Sequence, residues 1–403
     1  MIASNIIEKC VVKMKIVIVI TDYGSFNNFL AELAINLSSE NEIHVICSDV
    51  NIINIINKFD YTQYNLVFHK VHIPRTTSVL KLIKSSFEIS KIIKEVNPKL
   101  VCAHFTTGIF PSILFRVRSI EYWGVFHGLG MNSTKGLRKI MFFIVEIFSL
   151  MRLDRRFLIN NKDFKLVSNI FIRNTFKYNS CGVGCDINKF DKDKFNESDI
   201  HNLKKKLNID DKFVITYTGR FVKFKGFDLV YRSFINLANE FPHKFILLLI
   251  GGRDSIHSTG LSEQEETDLL INSNIINIGF TSEVEKYLAL SDVFLFPSKK
   301  EGLPVCIIEA LAMGLPVITL DERGNSDVVK DGFNGYLIES ISKIHDTNVI
   351  YLKLKHLYEN PNVLDLLSKN SLINRKKYSR TLFIDEQLKL VKNFKKGLKN
   401  ESE

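Results

Sequence analysis

Proline is scarce, eight in 403 residues, and glycine is unremarkable at twenty; together they exclude collagenous and low-complexity chains. No run of 18 apolar residues exists. The longest candidates are residues 140–151, interrupted by Glu146, and the short runs 16–20 and 245–250, which excludes a membrane-spanning helix. The six cysteines, at positions 10, 47, 102, 181, 185 and 306, have neither paired CxxC spacing nor the density of a secreted scaffold. They are expected to be reduced thiols in a cytosolic protein. A secretory leader is not expected either: the apolar run after Lys13 and Lys15 is only five residues and runs into a Gly/Ser loop instead of a cleavage site. Secretion is not expected, and Met14 is an alternative start.

What is present is globular. The hydrophobic fraction is 45% and the charged fraction 24%, and the length suits two domains, each with a sizeable core. The net charge of +10 is unevenly spread: residues 51–180 hold 20 Lys/Arg against 7 Asp/Glu, and the rest of the chain is slightly acidic. Such a stretch suits a polyanion or an anionic membrane surface; solvated helix faces would give the same count.

Strand-like apolar runs alternate with helix-period segments, the pattern of α/β layers on a mainly parallel sheet. Strands are expected at 15–20, 42–47, 65–73, 100–104, 121–126 and 157–160, with helices near 27–39, 78–96, 109–117 and 137–153. A polar segment at 191–211 then reads as a linker. A second series follows at 213–218, 244–250, 275–278, 293–297 and 317–320, with helices at 349–359 and 378–398. Two doubly wound domains are expected, with the ligand crevice outside the strand C-termini, between them.

Two segments carry chemistry. Residues 218–226, Thr-Gly-Arg-Phe-Val-Lys-Phe-Lys-Gly, end a strand and open a helix. Arg220 and Lys225 then stand at a crevice floor, where two cations suit a diphosphate, or they are solvent-facing loop charges. After the strand at 293–296 comes Pro-Ser-Lys-Lys-Glu-Gly-Leu-Pro-Val-Cys-Ile-Ile-Glu-Ala. There Pro304 fits the first helical position and Gly302 permits close backbone approach. The amides of Gly302, Leu303 and Val305 would form the positive end of a helix dipole. Glu301 and Glu309 are acceptors suited to sugar or ribose hydroxyls, and Glu309, set among apolar neighbours, calls for a dedicated partner.

These segments resemble the retaining nucleotide-sugar glycosyltransferases of family 4. The carrying motifs are the Glu-x7-Glu pair Glu301/Glu309 and the preceding Gly-Arg-x4-Lys-Gly. The resemblance runs on through Ser326-Asp327-Val328-Val329 and residues 331–335. It implies the GT-B fold: two facing Rossmann-like doubly wound domains with the active site in the cleft, and C-terminal helices. The expected division is an acceptor-side domain at 1–190, the polar linker at 191–211, a nucleotide-sugar domain at 212–380 and a helix at 381–403 packing back toward the first domain.

By the same resemblance Arg220 and Lys225 hold the donor diphosphate, Glu301 contacts donor-sugar hydroxyls, Glu309 clasps the ribose, and the amides of Leu303 and Val305 lie beside the phosphates. The family's Gly-Gly pair corresponds to Gly24 and Ser25, the second glycine being replaced. His127, within Phe-His-Gly-Leu-Gly, resembles the histidine beside the transferred sugar; His104 is a weaker candidate. Residues 182–190 resemble the interdomain segment, with Gly184 in place of Asn, and are expected to be structural.

The implied activity is transfer of a hexose or N-acetylhexosamine from a nucleotide-sugar, UDP-linked, to a polyprenyl-diphosphate-linked bacterial surface glycan such as O-antigen or capsule. No metal or other cofactor is expected. Asp191-Lys192-Asp193 has a metal-binding form but lies in the polar segment, and Cys181 and Cys185 lack the company that zinc needs. The protein is expected in the cytoplasm, with peripheral attachment to the inner face of the membrane through the basic, apolar segment 137–156 as one reading; a buried core helix is the other. Rival classes are a GT-B epimerase or phosphorylase and a non-catalytic nucleotide binder. No nucleic-acid-binding signature is present.

Overall fold

The computed structural model describes residues 13–49, 57, 59–74, 79–132, 134–254 and 256–400. Cys10 and Ser78, the latter the first residue of an expected helix, lie outside them. The chain divides into two units, one holding residues up to Leu158, Val167–Phe176 and the end from Glu386, the other Ile159–Leu166 and Lys177–Asp385.

In the first unit the strands are β1 (Met14–Asp22), β2 (Asn41–Ser48), β3 (Leu66–Lys70), β4 (Leu100–His104), β5 (Glu121–Phe126), β6 (Arg155–Leu158) and β7 (Thr175–Lys177). They form one sheet in the order β3-β2-β1-β4-β5-β6-β7, and β1 to β6 pair in parallel. Residues 16–20 are all buried, which is why β1 reads as a continuous apolar run instead of an alternating one. The helices are α1 (Tyr23–Phe29), α2 (Ala31–Ser38), α3 (Val79–Val96), α4 (Phe105–Leu114) and α5 (Gly136–Arg152), with α6 (Asn161–Ile170) divided between the units after Leu166. The single helix expected at 27–39 is two: Asp22 caps α1 by accepting from the Ser25 amide and starts it earlier.

The second unit runs α7 (Glu197–Leu207), β8 (Phe213–Phe221), α8 (Phe227–Glu240), β9 (Phe245–Arg253), α9 (Glu263–Ile271), β10 (Ile275–Gly279) and α10 (Val284–Ala289). It continues through β11 (Val293–Leu295), α11 (Val305–Ala312), β12 (Val317–Leu320), α12 (Asn325–Val328), β13 (Gly335–Ile338), α13 (Lys343–Glu359), α14 (Pro361–Ile373) and α15 (Arg380–Asn400). Its sheet is parallel in the order β10-β9-β8-β11-β12-β13. The order reverses between β8 and β11, so the loops after these two strands border the switch point where such sheets take ligands.

The division falls earlier than expected. Residues 191–211 are no linker: they contain α7, capped by the Asn196 side chain and ended by Asn208 in the left-handed region. Ile200, Leu203, Leu207 and the buried Ile209 pack with Val214, Ile246, Leu248 and Leu290. Polar composition hid one apolar stripe. Residues 181–185 are tied by backbone bonds to 377–380, with Cys185 N–H donating to the Tyr378 carbonyl at 2.8 Å and Arg380 N–H to that of Cys185 at 2.8 Å. A Cβ on Gly184, at φ 61°, would come within 2.6 Å of the Tyr378 oxygen, so glycine is required there. The part of α15 from Glu386 on counts with the first unit, where Phe394 meets Trp123 edge-on at 5.8 Å.

α5 is not a buried core helix. Glu146, Ser149 and Leu150 face inward, whereas Leu137 is 85% exposed and Ile140, Phe143, Ile144 and Met151 are all more than half exposed. Arg138 and Lys139 are exposed beside them. Among the described residues no helix is long and apolar enough to cross a membrane.

Candidate functional site

The two loops at the β8/β11 switch point are bonded to one another. Lys299 N–H donates to the Phe224 carbonyl at 3.0 Å, and a Cβ on Gly226, at φ 75°, would strike the Pro297 carbonyl oxygen. This close approach brings Lys225 and Glu301 together: Lys225 Nζ donates to Glu301 Oε1 at 2.5 Å, and Ser298 Oγ donates to the same oxygen at 2.7 Å. Both side chains are largely buried, 20% and 11% exposed, and Lys225 also stands 5.4 Å from the Phe296 ring centre. A charge pair so placed leaves the other carboxylate oxygen and the remaining ammonium protons for a ligand.

Arg220, nearer solvent, donates to Asp254 Oδ2 at 2.5 Å and lies 5.3 Å from the Phe224 ring centre. The Ile256 amide, then His257 and Arg220, hold the Asp254 carboxyl down to about 2, so this pair is charged throughout the neutral range.

Pro304 is the N-cap of α11 and not its first residue, with ψ 110° outside the helical region; α11 begins at Val305. Gly302, Leu303 and Val305 therefore lead into the helix start, where the first amides have no partner within the helix. Glu309 sits in α11, partly exposed. Burial pushes up the thiol of Cys306, three residues before it, and the charges of Lys225, Glu301 and Glu309 also act on that thiol.

The loop holding Glu301 is clasped from behind by residues that sequence reasoning missed. Arg323 Nε donates to the Glu301 carbonyl at 3.1 Å. Its guanidinium also reaches both oxygens of the fully buried Asp163 at 3.1 and 3.2 Å, a forked pairing that fixes the arginine. Asn325, buried on α12, donates to the carbonyls of Ser298 and Leu320. Gly324, at φ 83°, lies so close that a Cβ would come within 2.6 Å of the Gly302 oxygen. The signal was the Arg-Gly-Asn run just ahead of Ser326.

In the first unit Gly24 and Ser25 do not form a loop. They lie in the first turn of α1, where Asp22 accepts from both the Ser25 amide and hydroxyl at 3.0 Å; that amide already has an acceptor. His127, at the end of β5, meets His104, at the end of β4: His127 Nε2 and His104 Nδ1 are 3.1 Å apart. His127 stacks on Phe105 at 4.1 Å, and Phe105 takes φ 61°, an unusual conformation for a bulky residue. Burial lowers both imidazoles, His127 to about 3, so the pair is neutral near pH 7.

Glu146, which interrupts the apolar run of α5, is completely buried and holds both histidine segments. Its carboxylate accepts from the amides of Gly130 at 2.6 Å and Met131 at 3.0 Å, and from the Thr106 hydroxyl at 2.7 Å.

Asp191 is occupied by Arg375 at 3.0 Å, and among the described residues no three His, Cys, Asp or Glu side chains gather in a group that could hold a metal. Burial pushes the Cys181 thiol up to about 11.

Two family models match the chain, "Glycosyl transferases group 1" over residues 199–371 and "Glycosyl transferase 4-like" over residues 20–155. Among curated relatives, the UDP-Gal:alpha-D-GlcNAc-diphosphoundecaprenol alpha-1,3-galactosyltransferase of Escherichia coli is 27% identical over 73% of this chain and 75% of that protein. The capsular polysaccharide biosynthesis glycosyltransferase CapM of Staphylococcus aureus is 25% identical over 82% of this chain and 83% of that protein. Among solved structures, HepE of Anabaena in complex with UDP superimposes with a TM-score of 0.74 at 15% identity, covering 94% of this chain and 99% of that one; at such identity the likeness speaks for the fold. The two models together span more than half of the chain, which belongs to the family-4 glycosyltransferases and has their GT-B fold.

Proposed function

We propose that this glycosyltransferase moves a hexose or N-acetylhexosamine from a UDP-sugar to a polyprenyl-diphosphate-linked glycan of a bacterial surface polysaccharide, with retention of anomeric configuration. The observation that carries the donor reading is the Lys225–Glu301 pair, drawn from two motifs 76 residues apart. It puts a cation for the leaving diphosphate beside an acceptor for sugar hydroxyls. Negative charge grows on the diphosphate as the glycosidic bond breaks. Arg220, Lys225 and the amides at the start of α11 stabilise it in the role a divalent ion has elsewhere, while Glu309 holds the ribose. Attack on the same face of the sugar needs no enzymic nucleophile.

The named substrates of the Escherichia coli relative support UDP and the lipid-diphosphate acceptor. The exposed apolar face of α5, edged by Arg138 and Lys139, supports attachment to an anionic bilayer in which such an acceptor resides. The test is transfer from a panel of UDP-sugars to synthetic lipid-diphosphate glycans, with the product's anomeric configuration read by NMR. Lys225→Ala is expected to lower turnover by about 10²–10³ with the fold intact; turnover within a few-fold of wild type would remove Lys225 from the mechanism.

A further inference from the structure

The two loops that join Lys225 to Glu301 also carry lysines that go elsewhere. Lys223 precedes Lys225 by two residues, and Lys299 and Lys300 precede Glu301. With Lys343, at the start of α13, they line a cavity of about 540 Å³ within the second unit. Among the described lining residues the one acid is Asp228, a buried carboxylate already held by Arg232 at 3.1 Å, with Lys343 at 3.9 Å. Lys299 reaches Asp346 at 3.4 Å. Among the described residues Lys223 and Lys300 form no ion pair. Close packing fixes Lys223 in this wall: its amide donates to the Ser258 carbonyl at 2.9 Å, and a Cβ on Gly260 would lie 2.9 Å from the Lys223 stem and 3.1 Å from the Asp228 carboxyl carbon.

Asp228 and Asp346 offset Lys343 and Lys299, while Lys223 and Lys300 add two positive charges to the lining that no ion pair offsets among the described residues. The arrangement is relieved by an anion with several charges, and Lys is suited to phosphate as a point charge. The volume fits a small molecule. The lining also carries the apolar side chains of Phe224, Leu229 and Ile256.

We infer that this cavity is a second anion site, distinct from the Lys225–Glu301 site and sharing its loops, for a soluble small molecule bearing two or more phosphate groups. Occupancy would fix residues 222–226 and 298–301 through Lys223, Lys299 and Lys300. The inference does not depend on the donor reading, since it uses none of Arg220, Lys225, Glu301 or Glu309.

The probe is inorganic tripolyphosphate, titrated calorimetrically into the full chain at fixed ionic strength, with sulfate as the control. Wild type and Lys225→Ala should both bind it more tightly than sulfate, and Lys223→Ala/Lys343→Ala and Lys300→Ala should each weaken it at least tenfold while unfolding at wild-type temperatures without the probe. Affinity lost in Lys225→Ala but kept in the lysine variants would assign the binding to the donor site and overturn the inference. Equal affinity for sulfate, or no binding to wild type, would overturn it as well. So would tripolyphosphate without effect while anionic phospholipid vesicles bind wild type and not the lysine variants, since the ligand would then be a lipid headgroup.

Discussion

Glu146 and the two histidines whose segments it holds show how one buried side chain can position candidate residues. Its carboxylate gathers three donors from Gly130, Met131 and Thr106, so the segments after β4 and β5 are held by one side chain of α5. Gln at this position turns an NH2 toward one of those donors, and losing a hydrogen bond to a charged group costs about 1.5–3 kcal/mol. Glu146→Gln is therefore expected to lower turnover about tenfold or more, with faster hydrogen exchange at Gly130 and Met131 and unchanged nucleotide affinity. Wild-type turnover with wild-type exchange would deny it a positioning role.

The histidine pair also makes stability depend on pH. Both imidazoles titrate lower in the fold than in the unfolded chain, where His ionises near 6.5. In that window the unfolded state binds more protons, so the pair's contribution is complete above about pH 6.5 and is lost as the pH falls through the folded value. Melting temperature should decline with acidification below about 6.5, and the slope should be shallower in His127→Gln. An identical slope in the variant would show that other groups govern the decline.

At the scale of elements, α5 differs most from its sequence. A segment apolar on nearly every side looks like a core helix, and only the packing of Glu146, Ser149 and Leu150 inward tells which face is left outside. That face, bearing Leu137, Ile140 and Ile144, is expected to enter an anionic bilayer. Each large apolar side chain buried in the bilayer contributes roughly 1.5–3 kcal/mol. Leu137→Asp/Ile144→Asp should abolish co-sedimentation with anionic vesicles at low salt and leave nucleotide affinity unchanged; undiminished sedimentation would place the contact elsewhere.

Other elements were legible to different degrees for physical reasons. The strands 100–104 and 317–320 agree residue for residue with β4 and β12, because buried parallel strands are short apolar runs between helices. β13 has four residues and begins with glycine, leaving almost no pattern. α7 hid in a polar stretch because its core contacts are few, and α1 began early because one aspartate caps it. Both motifs of the proposed donor site stood in the sequence. Their meeting at Lys225 and Glu301 did not, since nothing in a 76-residue spacing declares a hydrogen bond. Neither did Arg323, whose role appears only when the Glu301 carbonyl and buried Asp163 lie on either side of it.

For the molecule as a whole, both units repeat one winding scheme, with reversals at β1/β4 and β8/β11. In each, the candidate residues lie at strand ends or just beyond them: His104 and His127 in the first, and Arg220, Lys225 and Glu301 in the second. The fold thus offers its chemistry at the carboxyl ends of the strands, and the second unit carries the residues expected to read the nucleotide. The most direct measurement is nucleotide binding by the full chain, using UDP, GDP, ADP and CMP on wild type, Lys225→Ala and Glu309→Ala. UDP should bind wild type selectively, raising apparent stability by about 2.7 kcal/mol at a hundredfold excess over its dissociation constant, and should lose affinity in both variants. Equal binding of all four nucleotides, or UDP affinity unchanged in both variants, would contradict the donor site proposed at β8 and α11.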